Sequence, residues 1–234
     1  MRVVILGCGT GVGKTRVSVA LLRALAARGL PALGLKPIES GIQSGNHSTV
    51  AAGASDAAAL SDASSVRTGI VHPLYALPEP VSPHLAARRA AKRIELGRIS
   101  DWINEAEQSV APHVLSPSAA WTIIETAGGV FSPLAPGVTN FTLAQTLCPA
   151  IWVLVAADAL GVLHDVSSCL LAMRASGREP DHLVLSAARD PDASTGSNGA
   201  ELEALGIAAP TALLARNDDR GVNRLLDCLL EANG

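Results

Sequence analysis

Lysine, paired cysteines and long apolar runs are scarce or missing in this chain of 234 residues. Only three of the 18 basic residues are lysines, and a net charge of −3 without a basic run argues against non-specific nucleic-acid binding. The four cysteines stand far apart with no CxxC pair, which disfavours a disulfide framework and a zinc site. No stretch approaches the roughly 18 apolar residues of a membrane span, and the apolar start is too short for a signal peptide. These absences predict a cytoplasmic protein without membrane or nucleic-acid partners.

Apolar residues are abundant, and their pattern alternates between two periods along the chain. They make up 48% of the sequence, whereas charged residues make up 17%, so most of the chain should be packed. Strands are predicted at 2–6, 31–35, 120–125, 150–156 and 182–187, helices at 14–28, from 55–60 onward, within 85–109 and at 161–176, and loops at 78–84 and 190–200. This alternation indicates one α/β domain over 1–234, with a mainly parallel twisted sheet and helices on both faces.

The first predicted strand runs into the turn Gly7-Cys8-Gly9-Thr10-Gly11-Val12-Gly13-Lys14-Thr15. A glycine-rich turn that opens a helix with Gly-Lys-Thr presents backbone N–H groups to triphosphate oxygens, with the lysine on the β/γ oxygens and the threonine on Mg²⁺. The common spacing GxxxxGK[ST] would place its first glycine on Cys8, so this is a variant loop with one extra residue. A dinucleotide-type turn is the alternative, which Lys14-Thr15 disfavours. The pattern predicts a P-loop fold that binds nucleotide through Gly9, Thr10, Gly11, Val12, Gly13, Lys14 and Thr15.

A second polar motif, Lys36-Pro37-Ile38-Glu39-Ser40-Gly41, follows the second predicted strand. Ligands in such folds gather at the carboxyl ends of the strands, where Glu125 and the segment 158–164 also fall. We expect the side chains of Lys36 and Ser40 to point into the same pocket at this edge of the sheet. The alternative is that Lys36 is an exposed lysine of a loop. Asp56 and Glu125 are two carboxylates that would complete a Mg²⁺ shell with Thr15, whereas a helix N-cap is the alternative role of Asp56.

Five motifs in order resemble one family. They are GCGTGVGKT (7–15), GLKPIESG (34–41), SDAAAL (55–60), SPHLAA (82–87) and ETAGGVFSPL (125–134). Together they resemble the dethiobiotin synthetases of biotin biosynthesis, whose phosphate loop carries the same extra residue. The resemblance is strong over about 1–140 and weaker afterwards.

The resemblance implies a ligase that converts 7,8-diaminononanoate, CO₂ and MgATP into dethiobiotin, ADP and phosphate. One substrate amine becomes a carbamate, whose oxygen attacks the γ-phosphate to give a carbamic–phosphoric anhydride, and the second amine closes the ring as phosphate leaves. Such a reaction asks a protein mainly for positioning and positive charge near the phosphoryl oxygens. A nucleophilic side chain is therefore not expected, and Cys8 is predicted to be a small filler.

The resemblance also assigns residues to this reaction, and we carry them over by position. Lys36, Lys14 and Thr10 are implied to be catalytic. Lys36 and Ser40 are implied to bind the carbamate and the substrate amines. The substrate's carboxylate tail is implied to lie at a helix N-terminus across a homodimer interface. The remaining assignments are nucleotide binding by Glu125 and Gly128, Mg²⁺ binding by Thr15, Asp56 and Glu125, and tail binding by Gly161, Val162 and His164.

Four positions depart from the family pattern. Gly11 stands where glutamate is common, Thr126 replaces a glycine and therefore needs backbone angles that a β-branched residue tolerates, and His164 replaces an asparagine. The family's base-reading Asn-Asp is here within 187–190, Ala-Ala-Arg-Asp. Because alanine offers no amide to a base, we expect weak discrimination among nucleoside triphosphates.

Three other functions remain open on the sequence. A partitioning or septum-site ATPase, acting as a switch, usually has an extra lysine early in the loop, where this chain has Cys8 and Gly9. An amidotransferase-type ligase of cobyrinate synthesis would need a glutaminase domain and a longer chain. A paralogue that binds nucleotide without turnover is the third alternative, and the departures at His164 and Ala187 keep it open.

Overall fold

A computed structural model describes residues 1–42, 55–110, 120–216, 218 and 220–231. The strands are β1 (Arg2–Gly7), β2 (Ala32–Leu35), β3 (Ile38–Ser40), β4 (Tyr75–Leu77), β5 (Trp121–Glu125), β6 (Pro133–Ala135), β7 (Val138–Thr139), β8 (Ile151–Asp158), β9 (His182–Ala187) and β10 (Ala212–Leu214). The helices are α1 (Lys14–Ala27), α2 (Asp56–Ala63), α3 (Pro83–Arg89), α4 (Leu96–Val110), α5 (Asn140–Thr146), α6 (Val162–Ala175), α7 (Asn198–Ala204) and α8 (Arg220–Glu231).

Six strands form one parallel sheet in the order β10-β9-β8-β1-β5-β2. β1 lies in the interior of this sheet, paired with β5 on one side and with β8 on the other. The short strands pair separately, β3 with β4 in parallel and β6 with β7 in antiparallel orientation. The carboxyl ends of β1, β2 and β5 therefore lie side by side at one edge.

Helices cover both faces of the sheet, which explains why residues 3–6 of β1 are all apolar. Val3 and Ile5 belong to the core under α1, α2 and α8, whereas Val4 and Leu6 belong to the core under α4, α5 and α6. Successive side chains of a strand point to opposite faces, so a central parallel strand needs apolar residues at every position. The predicted α/β architecture with helices on both faces is confirmed.

The five predicted strands and the helices α1 and α6 lie within one or two residues of their predicted bounds. Two loop predictions were wrong in part, whereas the helix predicted within 85–109 is confirmed. The segment 78–84 is not all loop, because α3 begins at Pro83, a residue whose fixed φ suits the first turn of a helix. The region 85–109 holds parts of two helices, separated around Ala91, whose φ is +50°. The loop predicted over 190–200 ends earlier, because α7 starts at Asn198.

α8 was not predicted, although its sequence carried a helical signal. Its buried residues Val222, Leu225, Leu226 and Leu229 recur at the spacing of one helix face, which packs beside α1 and β10. Among the described residues, no helix combines the length and apolarity that crossing a bilayer requires.

Candidate active site

A cavity of about 670 Å³ opens where β1, β2 and β5 end. It brings together most of the residues that the sequence singled out. Its lining includes Thr10, Gly11, Gly13, Lys14, Thr15, Lys36, Ser40, Asp56, Glu125 and Gly128. A second cavity of about 740 Å³, near Met1 and Arg2 at the start of β1, contains none of these residues. Because the two cavities are similar in size, the residues that line the first cavity, and not its volume, identify it as the candidate site.

The phosphate loop passes directly from β1 into α1 through Gly13, the N-cap of the helix. Gly13 has φ of +95°, and a Cβ at this position would lie 2.3 Å from Ser186 Oγ on β9. Glycine is thus required both by the backbone conformation and by the close approach of the strand. The first N–H groups of a helix lack partners within that helix, so this turn presents donors and a positive dipole end to the cavity.

Lys14 is 6% exposed and its Nζ donates to the carbonyl of Gly9 at 3.2 Å. The ammonium therefore folds back over the phosphate loop. Burial lowers the pKa of Lys14 to about 8, despite the opposing effect of Glu125. An anion bound in the loop would be a negatively charged partner for the Lys14 ammonium.

Glu125 is fully buried at the end of β5 and organises the other charged groups. Its Oε1 accepts from Lys36 Nζ at 2.7 Å and from Thr15 Oγ1 at 2.9 Å, and its Oε2 accepts from Ser18 Oγ at 3.0 Å. Lys36 Nζ also donates to Asp56. The lysine thus bridges two carboxylates from different elements, Glu125 at the end of β5 and Asp56 at the start of α2.

The pKa values of this network reflect a competition between burial and charge. Burial alone would lower the pKa of Lys36, but the carboxylates of Glu125 and Asp56 outweigh it and raise the pKa. Burial alone would raise the pKa of Asp56, but the Lys36 ammonium, with hydrogen bonds from Lys36 and Thr15, lowers it. Lys36 and Asp56 are consequently both ionised near neutral pH.

The oxygen donors of Thr15, Asp56 and Glu125 fit a small hard cation. Mg²⁺ prefers oxygen ligands and is usually bound through one or two carboxylates together with substrate phosphates and water. Within the described part of the chain, no group of three or more His, Cys, Asp or Glu side chains is placed to hold a metal ion. Two carboxylates and one hydroxyl make a partial shell, which suits a cation that arrives with a nucleotide.

Two side chains of the site lay outside the sequence prediction. Ser18, one turn after Lys14, is fully buried and bonds to Glu125. Glu39 is 7% exposed, lines the cavity and accepts a hydrogen bond from the amide of Asp56. The N-cap of α2 is Ser55, whose Oγ accepts from the amide of Ala58 at 3.4 Å, so Asp56 is not the cap.

The structure also shows the surroundings of Thr126 and Gly11, which depart from the family pattern, and of Cys8 in the phosphate loop. Thr126 donates from both its amide and its hydroxyl to the carbonyl of Ile5, at 3.1 and 2.9 Å, without positive φ. This confirms that the position tolerates a β-branched residue. Gly11 has φ of +73° and faces open space. A hydrogen bond with Cys169 and burial raise the pKa of the Cys8 thiol, so Cys8 is not a thiolate nucleophile.

Gly161, Val162 and His164 do not line the cavity of their own chain, as far as the described residues show. Gly161 is the N-cap of α6 with φ of +98°, and the Val162 side chain is 3% exposed in the core. His164 is exposed, with its Nε2 3.4 Å from Ser168 Oγ. Their assignment to the substrate tail stays a prediction.

The ends of β8 and β9 are also separate from the ionic network. Asp158 bonds through Oδ1 to Asn198 Nδ2 at 2.7 Å and through Oδ2 to the amide of Gly196 at 2.9 Å, so it ties down the loop before α7. In the segment 187–190, the carbonyl of Ala188 accepts from Arg216 Nη2 at 3.0 Å. No amide side chain stands in this segment to read a base.

Solved structures share this fold. A ParA family ATPase from Chlorobium tepidum TLS superposes with a TM-score of 0.51 at 16% identity, covering 98% of this chain and 92% of that chain. A MinC:MinD cell division protein complex from Aquifex aeolicus gives a TM-score of 0.54 at 11% identity, covering 98% and 96%. At such low identity these likenesses establish the architecture alone.

Sequence relatives are more specific. A family model described as an AAA domain matches residues 1–218. An ATP-dependent dethiobiotin synthetase from Anaeromyxobacter dehalogenans (strain 2CP-C) is 34% identical over 219 residues, which are 91% of this chain and 89% of the relative. Another from Caulobacter sp. (strain K31) is 33% identical, covering 97% and 93%. The expected resemblance is confirmed, and the chain belongs to the dethiobiotin synthetase family.

Proposed function

We propose that this protein is an ATP-dependent dethiobiotin synthetase, in which residues 1–234 act as a single nucleotide-binding domain. It would carboxylate 7,8-diaminononanoate with CO₂ and close the ureido ring, with release of ADP and phosphate. One observation carries the proposal: Lys14, Lys36 and Glu125, from three separate motifs, meet in one cavity at the sheet edge. Family membership supplies the identity of the substrate.

The phosphoryl groups would lie on the phosphate loop, because its N–H groups and the Lys14 ammonium are the donors aimed at the cavity. Lys14 and Thr10, from opposite ends of the loop, would flank the terminal phosphoryl. Positioned positive charge is the main requirement of phosphoryl transfer, and the buried setting strengthens it. The loop therefore serves as the ATP side of the site.

The carbamate side would be formed by Lys36 and Ser40. Both residues line the cavity, and Ser40 Oγ is buried with no hydrogen-bond partner among the described residues. An unsatisfied buried hydroxyl is costly, so a substrate amine or carbamate oxygen is the partner that would complete it. The carbamate oxygen would attack the γ-phosphorus as ADP leaves, and the second amine would then attack the carbamate carbon as phosphate leaves.

A divalent cation would be held by Thr15, Asp56 and Glu125. When bound, Mg²⁺ would neutralise the charge that develops on the phosphoryl oxygens. The Asp56 and Glu125 carboxylates form ion pairs with Lys36. These two carboxylates would then be shared between Lys36 and the cation.

The substrate's carboxylate tail would bind at the start of α6 of a second copy in a homodimer. Support comes from the position of Gly161, Val162 and His164, away from the cavity of their own chain. Leu160, just before α6, and Leu171, within α6, are 84% and 63% exposed, and a partner would cover them. The N–H groups of the helix start would bind a carboxylate whatever side chain stands at position 164.

The decisive assay measures phosphate release by the purified protein with MgATP. We expect release to require both diaminononanoate and bicarbonate, with dethiobiotin formed in equal amount. Hydrolysis that ignores both would favour the switch ATPase, whose relatives share the fold. Nucleotide binding with no release under any condition would favour the non-catalytic paralogue.

A further inference from the structure

Glu39 is a buried carboxylate that belongs to no role described so far. It lies in β3, three residues after Lys36, and is 7% exposed at the wall of the cavity. Its Oε1 accepts from the amide of Asp56 at 2.7 Å. Its Oε2 accepts from Ser55 Oγ at 2.9 Å and from the amide of Ala57 at 3.1 Å.

These three bonds all come from the first turn of α2. The amide groups of a first helical turn have no partners within the helix, and a carboxylate is favoured there by the helix dipole. Both oxygens of Glu39 are occupied in this way, so the side chain is oriented toward the backbone and is not a free ligand for a cation. The carboxylate therefore anchors the point at which α2 begins.

Asp56 is the first residue of α2, and it is consequently held from two directions. Glu39 binds its backbone amide, whereas Lys36 binds its side-chain carboxylate. Lys36 and Glu39 come from a single short segment, 36–39, that follows β2. The direction of the Asp56 side chain thus depends on a backbone position that Glu39 fixes.

We propose that Glu39 is a positioning residue that acts through Asp56, and that it sets the affinity for the divalent cation that accompanies the nucleotide. The inference rests on the proposed function only for the assignment of Asp56 to that cation. Partners that orient a metal ligand typically contribute about 10-fold to 100-fold in metal affinity or activity. The effect of losing Glu39 should be of that order.

The test compares ADP affinity with Mg²⁺ and with EDTA, measured by calorimetry on the full chain. The dissociation constant with EDTA divided by that with Mg²⁺ measures how much the cation contributes to ADP affinity. We expect Glu39→Ala to lower this ratio about tenfold or more while leaving the EDTA value within about twofold. Glu39→Gln keeps one acceptor oxygen and should lose less. Glu107→Ala removes a carboxylate that pairs with Arg2 on the far side of the molecule, and should leave the ratio unchanged.

A double-mutant cycle separates positioning from a general loss of packing. If Glu39 acts through Asp56, Glu39→Ala should have no further effect on the ratio in an Asp56→Ala background. An unchanged ratio in the single variant, or additive effects in the double variant, would overturn the proposal. Should Glu39→Ala fail to fold by circular dichroism, the same cycle with Glu39→Gln decides between these results.

Nucleotide binding in this experiment requires neither diaminononanoate nor turnover. A protein that never forms dethiobiotin would overturn the proposed function, yet its cation-dependent ADP affinity would still report on Glu39. Conversely, normal dethiobiotin synthesis with an unchanged ratio in Glu39→Ala would overturn this inference alone.

Discussion

The two halves of the sheet edge satisfy their polar groups in different ways. At the ends of β1, β2 and β5, Lys36, Thr15 and Ser18 converge on Glu125, across sequence separations of 89, 110 and 107 residues. At the ends of β8 and β9, Asp158 instead bonds within its neighbouring loop, and the amide of Leu160 bonds to Asp192 at 2.8 Å.

The difference separates a reactive region from a structural one. In the first half, buried charges hold one another and can exchange partners when a phosphate or a cation enters, because their attraction is weakly screened. In the second half, the hydrogen bonds join the end of β8 to the loop before α7, and no charged side chain of this half lines the cavity within the described residues. We therefore expect substitutions to be severe in the first half and mild in the second.

The largest effect is expected for Lys36→Ala. Ring closure should fall by about 10² to 10³ or more, because a donor to the reacting group is lost. The variant should also lose about 3 to 5 kcal/mol of stability without Mg²⁺, since it strips the fully buried Glu125 of its counter-charge. Phosphate release, ADP calorimetry and denaturant unfolding measure the three quantities.

Lys92→Ala is the matched control, because the Lys92 ammonium lies at the surface, where it donates to the carbonyl of Ala76. It should leave activity and stability unchanged. A collapse of nucleotide affinity in Lys36→Ala would contradict the separation of a phosphate lysine from a carbamate lysine.

Next in size is the pH dependence of nucleotide affinity. The pKa of Lys14 is about 8, so its positive charge is present below that pH and is lost as pH rises through it. In titrations from about pH 7.5 to about pH 9.5, affinity should fall by up to about tenfold per unit above the pKa. Lys14→Arg keeps its charge and should show a flat profile. A flat profile in the wild type would show that Lys14 does not bind the phosphates.

A smaller effect is expected from the nucleotide base. Turnover with ATP, CTP and GTP should agree within about tenfold, or about 1.4 kcal/mol, because 187–190 offers no amide side chain. Ala187→Asn should shift the preference toward ATP and so sharpen the contrast between the halves. A strong preference of the wild type for ATP alone would refute the expectation.

The smallest effect is expected for His164→Ala. Its side chain is exposed, so KM for diaminononanoate should rise by less than about fivefold, as for an exposed charge contact, with kcat unchanged. Stability should change by no more than about 0.5 kcal/mol. Ser168→Ala removes its neighbour and serves as the control in steady-state kinetics. A larger rise in KM would show that the imidazole contacts the substrate.

Much of this arrangement was predictable, because a parallel sheet brings the carboxyl ends of its strands to one edge. Once β1, β2 and β5 are placed by their apolar runs, Lys14, Lys36 and Glu125 must meet at their carboxyl ends. Glu39 and Ser18 were not predictable, since their partners depend on how α2 and α1 pack against the sheet. The proline that starts α3 was visible, but the loop-like composition of 78–84 outweighed it.

The contact between Gly13 and Ser186 has a consequence for how the protein can change. The phosphate loop rests on β9, a strand that contributes no side chain to the cavity. Any residue larger than serine at 186 would crowd Gly13 and so displace the first turn of α1. The position of the phosphate loop thus depends on two small residues, Gly13 in the loop itself and Ser186 on β9, in the half of the sheet edge that lies outside the ionic network.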